Sequence, residues 1–363
     1  MKRVLLSGYY GFGNLGDEAI LEATVNALRA ADSELELAVL SADPAATSAA
    51  HDVEAAHRAR PFSVLREIRR GDLLLSGGGG LIQDATSPRS PRYYLGIMRL
   101  AQLVGRRTMV FAQGLGPVKL PRTEALTRSA FRRARAITVR DQASADWLRG
   151  IGVAEPEPQV TADMAFLLRA APDEQADAVL AQIGLSGDQR LLGISVRAWG
   201  EHTDYLHEVA RATGAICAET GLQPVLLPLH PAQDRPYAHQ LADSLESGAV
   251  VLPTDMRPSL ALAVVRQMKL LLGMRLHSLI FAALAGVPLV GLSYDPKVDA
   301  LLDSLGEPPL GPLSTLHADE IVAAAMAAWQ EREDRKARLE RAVADLRESA
   351  QANVSAALAC LAQ

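Results

Sequence analysis

The 363 residues carry 49% hydrophobic and 22% charged side chains with a formal net charge of −5, the balance of a soluble globular chain with no global attraction to nucleic acid. That length exceeds one ordinary core and fits two domains of about 150–200 residues. Cys217 and Cys360 are the only cysteines and have no metal-ligand spacing, so neither a disulfide nor a zinc framework is expected; this fits a reducing, cytoplasmic compartment.

Met1–Leu6 runs straight into a strand, with no long apolar region or cleavage site, so no signal peptide is expected. No apolar run approaches the roughly 18 residues of a bilayer span. Peripheral membrane contact stays open through the arginine-rich stretch Arg128–Arg135, for which a solvated helix face is the favoured reading.

Short apolar runs then alternate with amphipathic stretches, the pattern of parallel sheets covered by helices. Strands are predicted at 3–8, 35–41, 72–76, 108–112, 136–140 and 159–161, with helices between them, such as Asp17–Ala30 and Arg92–Val104. The polar, acidic segment Ala171–Asp177 opens a linker expected over 171–189. A second alternation starts at Arg190–Val196 and continues with strands at 223–228, 249–252, 269–273 and 288–293. An alanine-rich, charged tract from about Ala318 to Leu361 has helical spacing. The expected architecture is α/β: a Rossmann-like domain over 1–170, the linker, a second Rossmann-like domain over 190–317, and a helical tract over 318–363. Ligands would bind in a cleft between the domains, beyond the carboxyl ends of the strands.

Glycine-rich turns mark those ends. The first, Gly8–Glu18, includes Gly13 and Asn14, and Asp17 is placed to cap the helix that follows. Its Gly11-Phe12-Gly13-Asn14-Leu15-Gly16 spacing is a weak dinucleotide pattern, because Asn14 and the acidic Asp17-Glu18 pair would crowd a pyrophosphate. No Walker lysine–serine pair follows any glycine turn, so a P-loop is absent. The second turn, Ser76–Asp84, contains four successive glycines, among them Gly78 and Gly79, and then Gln83 and Asp84. Such a run marks close backbone approach, either to a ligand or in tight strand-to-helix packing. The third, Gln113–Pro117, and the fourth, Val139-Arg140-Asp141, also end strands; Asp141 is placed to cap a helix, and Arg140 suits an anion or a surface ion pair.

In the second half, strand Lys269–Gly273 leads through Arg275 and His277 into a small-residue helix expected from about Ser278 to Ala285, ending at Gly286. A helix start carries unpaired N–H groups and favours an anion, and a histidine there can move a proton. Lys297 follows the next strand, and Arg197 and His230 end two others. Cationic or protonatable groups thus recur at the carboxyl edge of one sheet.

In their order and spacing, Gly8–Ala19, Ser76–Asp84, Gln113–Pro117, Arg275–Ser278 and Tyr294–Lys297 resemble the polysaccharide pyruvyl transferase family, and most of all its CsaB branch, over nearly the whole chain. The resemblance implies a GT-B-like arrangement of the two domains, with the acceptor on the N-terminal side. It further implies a phosphoenolpyruvate donor and a β-linked N-acetylmannosamine acceptor on an undecaprenyl-diphosphate-linked saccharide. The product is then a 4,6-pyruvyl ketal, used to anchor surface-layer proteins to secondary cell-wall polymers, made at the inner face of the cytoplasmic membrane without cofactor or metal.

By the same resemblance His277 is the catalytic acid/base, and Arg140 and Lys297 are donor ligands. Arg197 and Arg275 join them from sheet position alone, and the remaining substrate-side candidates are Gly13, Asn14, Asp17, Gly78, Gly79, Gln83, Asp84, Gln113 and Ser278. Two alternatives stand beside this reading. One is a GT-B nucleotide-sugar glycosyltransferase, disfavoured by the lack of any Asp or Glu from His277 to Pro288. The other is a non-catalytic glycan- or anion-binding protein.

Overall fold

The computed structural model describes residues 1–84, 87–185, 189–199, 204–245 and 248–362. The chain divides into two compact units: Met1–Phe12, Asp17–Leu168 and Leu346–Gln363 form the first, and Gly13–Gly16 with Arg169–Asp345 form the second.

The first unit is built on a seven-stranded parallel sheet. Its strands are β1 (Arg3–Ser7), β2 (Glu36–Ser41), β3 (Glu54–His57), β4 (Leu73–Ile82), β5 (Arg107–Leu115), β6 (Ala136–Val139) and β7 (Pro158–Val160). They lie in the order β3-β2-β1-β4-β5-β6-β7. The accompanying helices are α1 (Leu15–Ala31), α2 (Pro44–His51), α3 (Pro61–Arg70), α4 (Arg89–Leu103), α5 (Pro121–Phe131) and α6 (Gln142–Gly150). Val4–Leu6, Leu73–Leu75 and Met109–Ala112 are buried without alternation, as strands covered on both faces must be.

Two differences from the expected elements have clear causes. The sequence Glu54-Ala55-Ala56-His57 lacks an apolar run, because β3 is the edge strand and hydrogen-bonds to β2 alone. The four glycines lie inside β4 instead of forming a turn after it: Gly77 pairs with Phe111 and Gly79 with Gln113 in the β5 ladder. The ladder shifts register between Gly79 and Ile82, and Gly78 and Gly79 adopt φ of +79° and +84°, which a bulge with glycine permits.

The second unit has a six-stranded parallel sheet. Its strands are β8 (Leu191–Ser195), β9 (Gln223–Leu226), β10 (Val250–Val251), β11 (Met268–Gly273), β12 (Leu289–Leu292) and β13 (Pro309–Leu310). Their order is β10-β9-β8-β11-β12-β13, and β13, a two-residue edge strand opening on proline, gave no sequence signal. The helices are α7 (Asp173–Gln182), α8 (Asp204–Thr220), α9 (Arg235–Asp243), α10 (Pro258–Arg266), α11 (Leu276–Leu284), α12 (Pro296–Leu305), α13 (Ala318–Gln330) and α14 (Arg332–Ala362).

The segment expected as a linker holds α7, which packs on α10, with Ala171 donating its N–H to Ser259 O at 2.9 Å; residues 186–188 of that segment lie outside the described ones. The C-terminal tract is two helices, broken at Glu331. The part of α14 from Leu346 onward belongs to the first unit, where Asn353 bonds Thr161 at 2.8 Å and Ala162 O at 3.1 Å. Among the described residues no helix is long and apolar enough to cross a membrane.

Both sheets reverse their strand order at one place, between β1 and β4 and between β8 and β11. In a doubly wound sheet the crevice at that switch point, beyond the strand ends, is where ligands bind.

Candidate functional site

At the switch point of the first sheet, the chain leaving β1 is clamped in place. The Tyr10 hydroxyl donates to Gly77 O at 3.0 Å, Gly11 N–H donates to Glu18 Oε1 at 2.8 Å, and Ala42 N–H donates to Tyr10 O at 3.0 Å. Gly11 sits at φ +77°, and a Cβ there would lie 2.1 Å from Ser41 Oγ. Asp17 does not cap α1, which starts two residues earlier. It occupies the first turn, 9% exposed, facing the Gly79 backbone, where a Cβ would come within 2.9 Å of its Oδ1. Two of the β4 glycines are required by packing: a Cβ would meet Phe111 O at 1.8 Å from Gly77 and Ile20 Cγ2 at 2.3 Å from Gly78.

Several side chains expected to face substrate are tied to the protein here. Gln113 is fully buried and donates through Nε2 to Ser76 O at 2.8 Å. Asp84 accepts the N–H groups of Lys119 (2.7 Å) and Leu120 (3.0 Å), just ahead of α5. Burial works to raise its pKa, but those N–H groups and the Thr123 hydroxyl outweigh it and hold the carboxyl below its ordinary range. Gln83 is half-buried at the end of β4. The Arg140 guanidinium lies under Gly114, whose Cβ would fall 2.4 Å from its Nε, and pairs with the buried Asp163 at 3.0 Å. Asp141 accepts Ser144 N–H at 2.7 Å and caps α6, as its place before the helix predicts.

The second unit collects its charged groups differently. Asn14 precedes α1 and accepts Gly16 N–H at 3.2 Å; the Gly13–Gly16 turn is anchored by Leu15 N–H on Leu229 O at 2.8 Å. Gly13, at φ +71°, lies over Pro231. His277 sits in the first turn of α11, half-buried, with its imidazole against Gly16: a Cβ there would be 2.2 Å from Nδ1. Only glycine at position 16 leaves the ring this place.

Two cations converge on Tyr294, which follows β12. Arg197, after β8, donates to its hydroxyl at 2.7 Å with the guanidinium carbon 5.0 Å from the ring centroid; Lys297 Nζ lies 5.6 Å from that centroid. Lys297 also pairs with Asp295 at 3.1 Å, the residue that caps α12, and stays 37% exposed.

Arg275 and Ser278 take other roles than expected. The Arg275 guanidinium is gripped by both oxygens of Asp234, which is fully buried and also accepts the N–H groups of Leu229 (3.1 Å) and His230 (2.9 Å). Arg275 therefore fixes the loop after β9 to the start of α11. Ser278 is buried, and both its hydroxyl (2.6 Å) and its N–H (2.9 Å) donate to Arg275 O, so neither faces outward. Burial and the Arg275 charge push His230 below its ordinary pKa, against the pull of Asp234.

Sequence reading missed Tyr294, Asp234, Asp163 and the part of Gly16. Tyr294 opens the Tyr294–Lys297 motif, and an aromatic ring three residues before a strand-end lysine was the available signal. The two acids stand 41 and 23 residues from their arginines, so nothing local linked them. Among the described residues no cluster of three or more His, Cys, Asp or Glu side chains is arranged to hold a metal.

The sequence profile of the polysaccharide pyruvyl transferase family matches residues 14–296, a span that holds His277, Arg140 and Tyr294 and stops one residue short of Lys297. The chain belongs to that family. It is therefore a transferase of polysaccharide biosynthesis. No curated protein matches it in sequence. In fold this pyruvyl transferase family member is similar to UDP-GlcNAc 2-epimerase from Neisseria meningitidis bound to UDP-GlcNAc, with a TM-score of 0.66 and 12% identity over 99% of this chain and 100% of that one. It is also similar to Anabaena HepE in complex with UDP (0.64, 11%, 99% and 98%). A third neighbour is the E. coli ADP-heptose lipopolysaccharide heptosyltransferase II (0.55, 16%, 92% and 100%). Two α/β units with parallel sheets and GT-B-like neighbours bear out the expected fold class.

Proposed function

We propose that this transferase moves pyruvate from phosphoenolpyruvate onto two hydroxyls of one sugar, as a 4,6-ketal, with release of phosphate. The proposed acceptor is an N-acetylmannosamine-containing saccharide on undecaprenyl diphosphate, for the polymers that anchor surface-layer proteins, as in the CsaB branch. A lipid-linked acceptor would put the reaction at the inner face of the cytoplasmic membrane.

The observation that carries the reading is the carboxyl edge of the second sheet. There a histidine in a helix's first turn follows β11, and two cations gathered on one tyrosine come from the ends of the neighbouring strands β8 and β12. Phosphoenolpyruvate bears a carboxylate and a phosphate on three carbons, and Arg197 and Lys297 suit those anions as a fork and a point charge. Arg140 is proposed as a further donor ligand on the family match, with its pairing to Asp163 as the competing role.

The chemistry is balanced without an external reactant. The donor methylene gains a proton and becomes the methyl group, and one sugar hydroxyl adds at the former enol carbon. The bond to phosphate breaks, and the second hydroxyl closes the ketal at the same carbon. Of the two hydroxyl protons, one balances the methyl group and the other leaves with phosphate. His277 is assigned to move these protons, a role typically contributing about 10²–10⁴-fold. The nucleotide-sugar reading draws on the UDP-bound fold neighbours, yet no carboxylate occurs from His277 to Pro288 to hold a ribose.

The test is to incubate the protein with phosphoenolpyruvate and a synthetic N-acetylmannosamine-containing acceptor, then with the lipid-linked one. Phosphate and a ketal-bearing saccharide should appear together. No phosphate and no ketal with either acceptor would end this reading.

A further inference from the structure

Five side chains outside the roles assigned so far form one cluster at the carboxyl end of the first sheet. Tyr9 and Phe12, leaving β1, stack with ring centroids 4.2 Å apart and planes 12° from parallel. Arg58, which follows β3, lies over three rings: its guanidinium carbon is 4.9 Å from the Phe12 centroid, 4.2 Å from Tyr93 and 5.2 Å from Tyr94. The Tyr93 hydroxyl donates to Arg58 O at 2.9 Å, and Arg58 donates to the Tyr94 hydroxyl at 3.2 Å.

The cluster is built for something other than core packing. Phe12 remains 38% exposed in a chain with only 4% aromatic residues, and it projects from a turn that three hydrogen bonds hold rigid. Among the described residues the partners of the Arg58 guanidinium are these rings and the Tyr94 hydroxyl, with no carboxylate in ion-pair reach. A guanidinium held flat by aromatic rings keeps N–H groups in a fixed plane for a ligand.

Charge selects among ligands. Asp17 acts on the same rings: burial and its carboxylate raise the Tyr9 hydroxyl, and Arg58 opposes them. One cation and one anion thus act on Tyr9 with opposite sign, so an anionic ligand gains little there. A neutral, amphipathic ligand fits, with C–H faces for the rings and hydroxyls for the guanidinium. A pyranose ring has that chemistry.

We propose that Phe12, Tyr9, Tyr93 and Arg58 form the acceptor-sugar subsite, with a hexosamine ring laid against the exposed aromatic edge and its hydroxyls bonded by Arg58. The proposal rests on the pyruvyl-transfer reading for the identity of the sugar, while the stack, the arginine with no carboxylate partner among the described residues and the charge balance stand independently of it.

The experiment measures KM for each substrate by phosphate release, and the Kd of a synthetic N-acetylmannosamine-containing disaccharide by calorimetry without donor. Phe12→Ala should raise the acceptor KM and Kd about tenfold, an amount in keeping with loss of one aromatic contact. Its donor KM and thermal midpoint should stay at wild-type values, and Phe12→Tyr should restore the acceptor constants. Arg58→Gln should raise the same two constants. Unaltered acceptor constants in Phe12→Ala overturn the subsite, as does an equal rise for both substrates. Should the wild type release no phosphate, the transfer reading fails alone. The calorimetric arm then decides: disaccharide binding that Phe12→Ala weakens about tenfold or more supports the subsite, and binding that it leaves unchanged, or none to the wild type, overturns it.

Discussion

At the end of the first sheet Arg140 is 9% exposed and locked to a carboxylate that is 4% exposed, whereas at the end of the second Lys297 stands 37% exposed over a tyrosine it shares with Arg197. Both arginine and lysine follow a parallel strand, and both have an acid beside them in sequence, so placement alone does not separate them. Their partners do. Asp163 is itself buried and also accepts the Ala165 N–H at 3.0 Å, which makes Arg140 part of the packing before anything else. Asp295 is a helix cap at the surface, a weak competitor for Lys297. Arg275 repeats the lesson inside the second unit, because its buried partner Asp234 removes it from the set of outward-facing cations.

Substitutions can break this contrast, and the largest effect should come from His277. His277→Ala should lower turnover by about 10²–10⁴-fold with the thermal midpoint kept, since the imidazole is assigned to chemistry and lies on a backbone, not in a core. Next comes the buried pair. Asp163→Ala removes the nearer of two carboxylates around Arg140, leaving Asp141 at 3.8 Å, and should cost at most about 3–5 kcal/mol in a denaturant melt, while replacing both partners by apolar residues should cost less. A melt unchanged in Asp163→Ala, with a higher donor KM in Arg140→Ala, would move Arg140 into the same class as Lys297.

The glycine run offers a contrast on a smaller scale. Gly77→Ala drives a methyl into Phe111 O and should cost about 1–3 kcal/mol or more, but Gly80→Ala, whose nearest neighbour would be 4.0 Å away, should stay within about 0.5 kcal/mol. Equal losses at both positions would mean that the run serves something other than strand packing. Lys297→Ala should raise the donor KM about tenfold, about 1.4 kcal/mol, and barely alter stability, because an exposed pair with Asp295 contributes about 0–1 kcal/mol.

The smallest effect concerns pH. With its folded pKa below the unfolded value of about 6.5, His230 binds fewer protons folded than unfolded in the window between the two. Stability should therefore fall as pH drops from about 6.5 toward the folded value, and His230→Gln should flatten that slope.

Much of this was legible in the chain itself. The strands with continuous apolar runs, such as Leu73-Leu74-Leu75 and Leu270-Leu271-Leu272, announce a parallel sheet because both faces must be buried. Asp141 reads as a cap because capping is local. The glycines after Ser76 read as a turn because glycine disfavours strands; they lie in β4 because the strand pairs on with β5, and Phe111 and Ile20 leave no room for a Cβ at Gly77 and Gly78. The strand-end placement of Arg197, His277 and Lys297 was visible, and so was the helix that carries His277. The pairing of Arg140 with Asp163 and of Arg275 with Asp234 was not, since a buried acid far along the chain leaves no periodicity or spacing to read.

The central claim, that a histidine at the start of α11 moves protons in a pyruvyl transfer, meets its most direct test in heavy water. Phosphoenolpyruvate and the N-acetylmannosamine-containing acceptor, turned over in D₂O, should give phosphate and a ketal whose methyl group carries one deuterium. His277→Ala should give neither above background. A saccharide left without a ketal, or a His277→Ala protein as active as the wild type, would contradict the account.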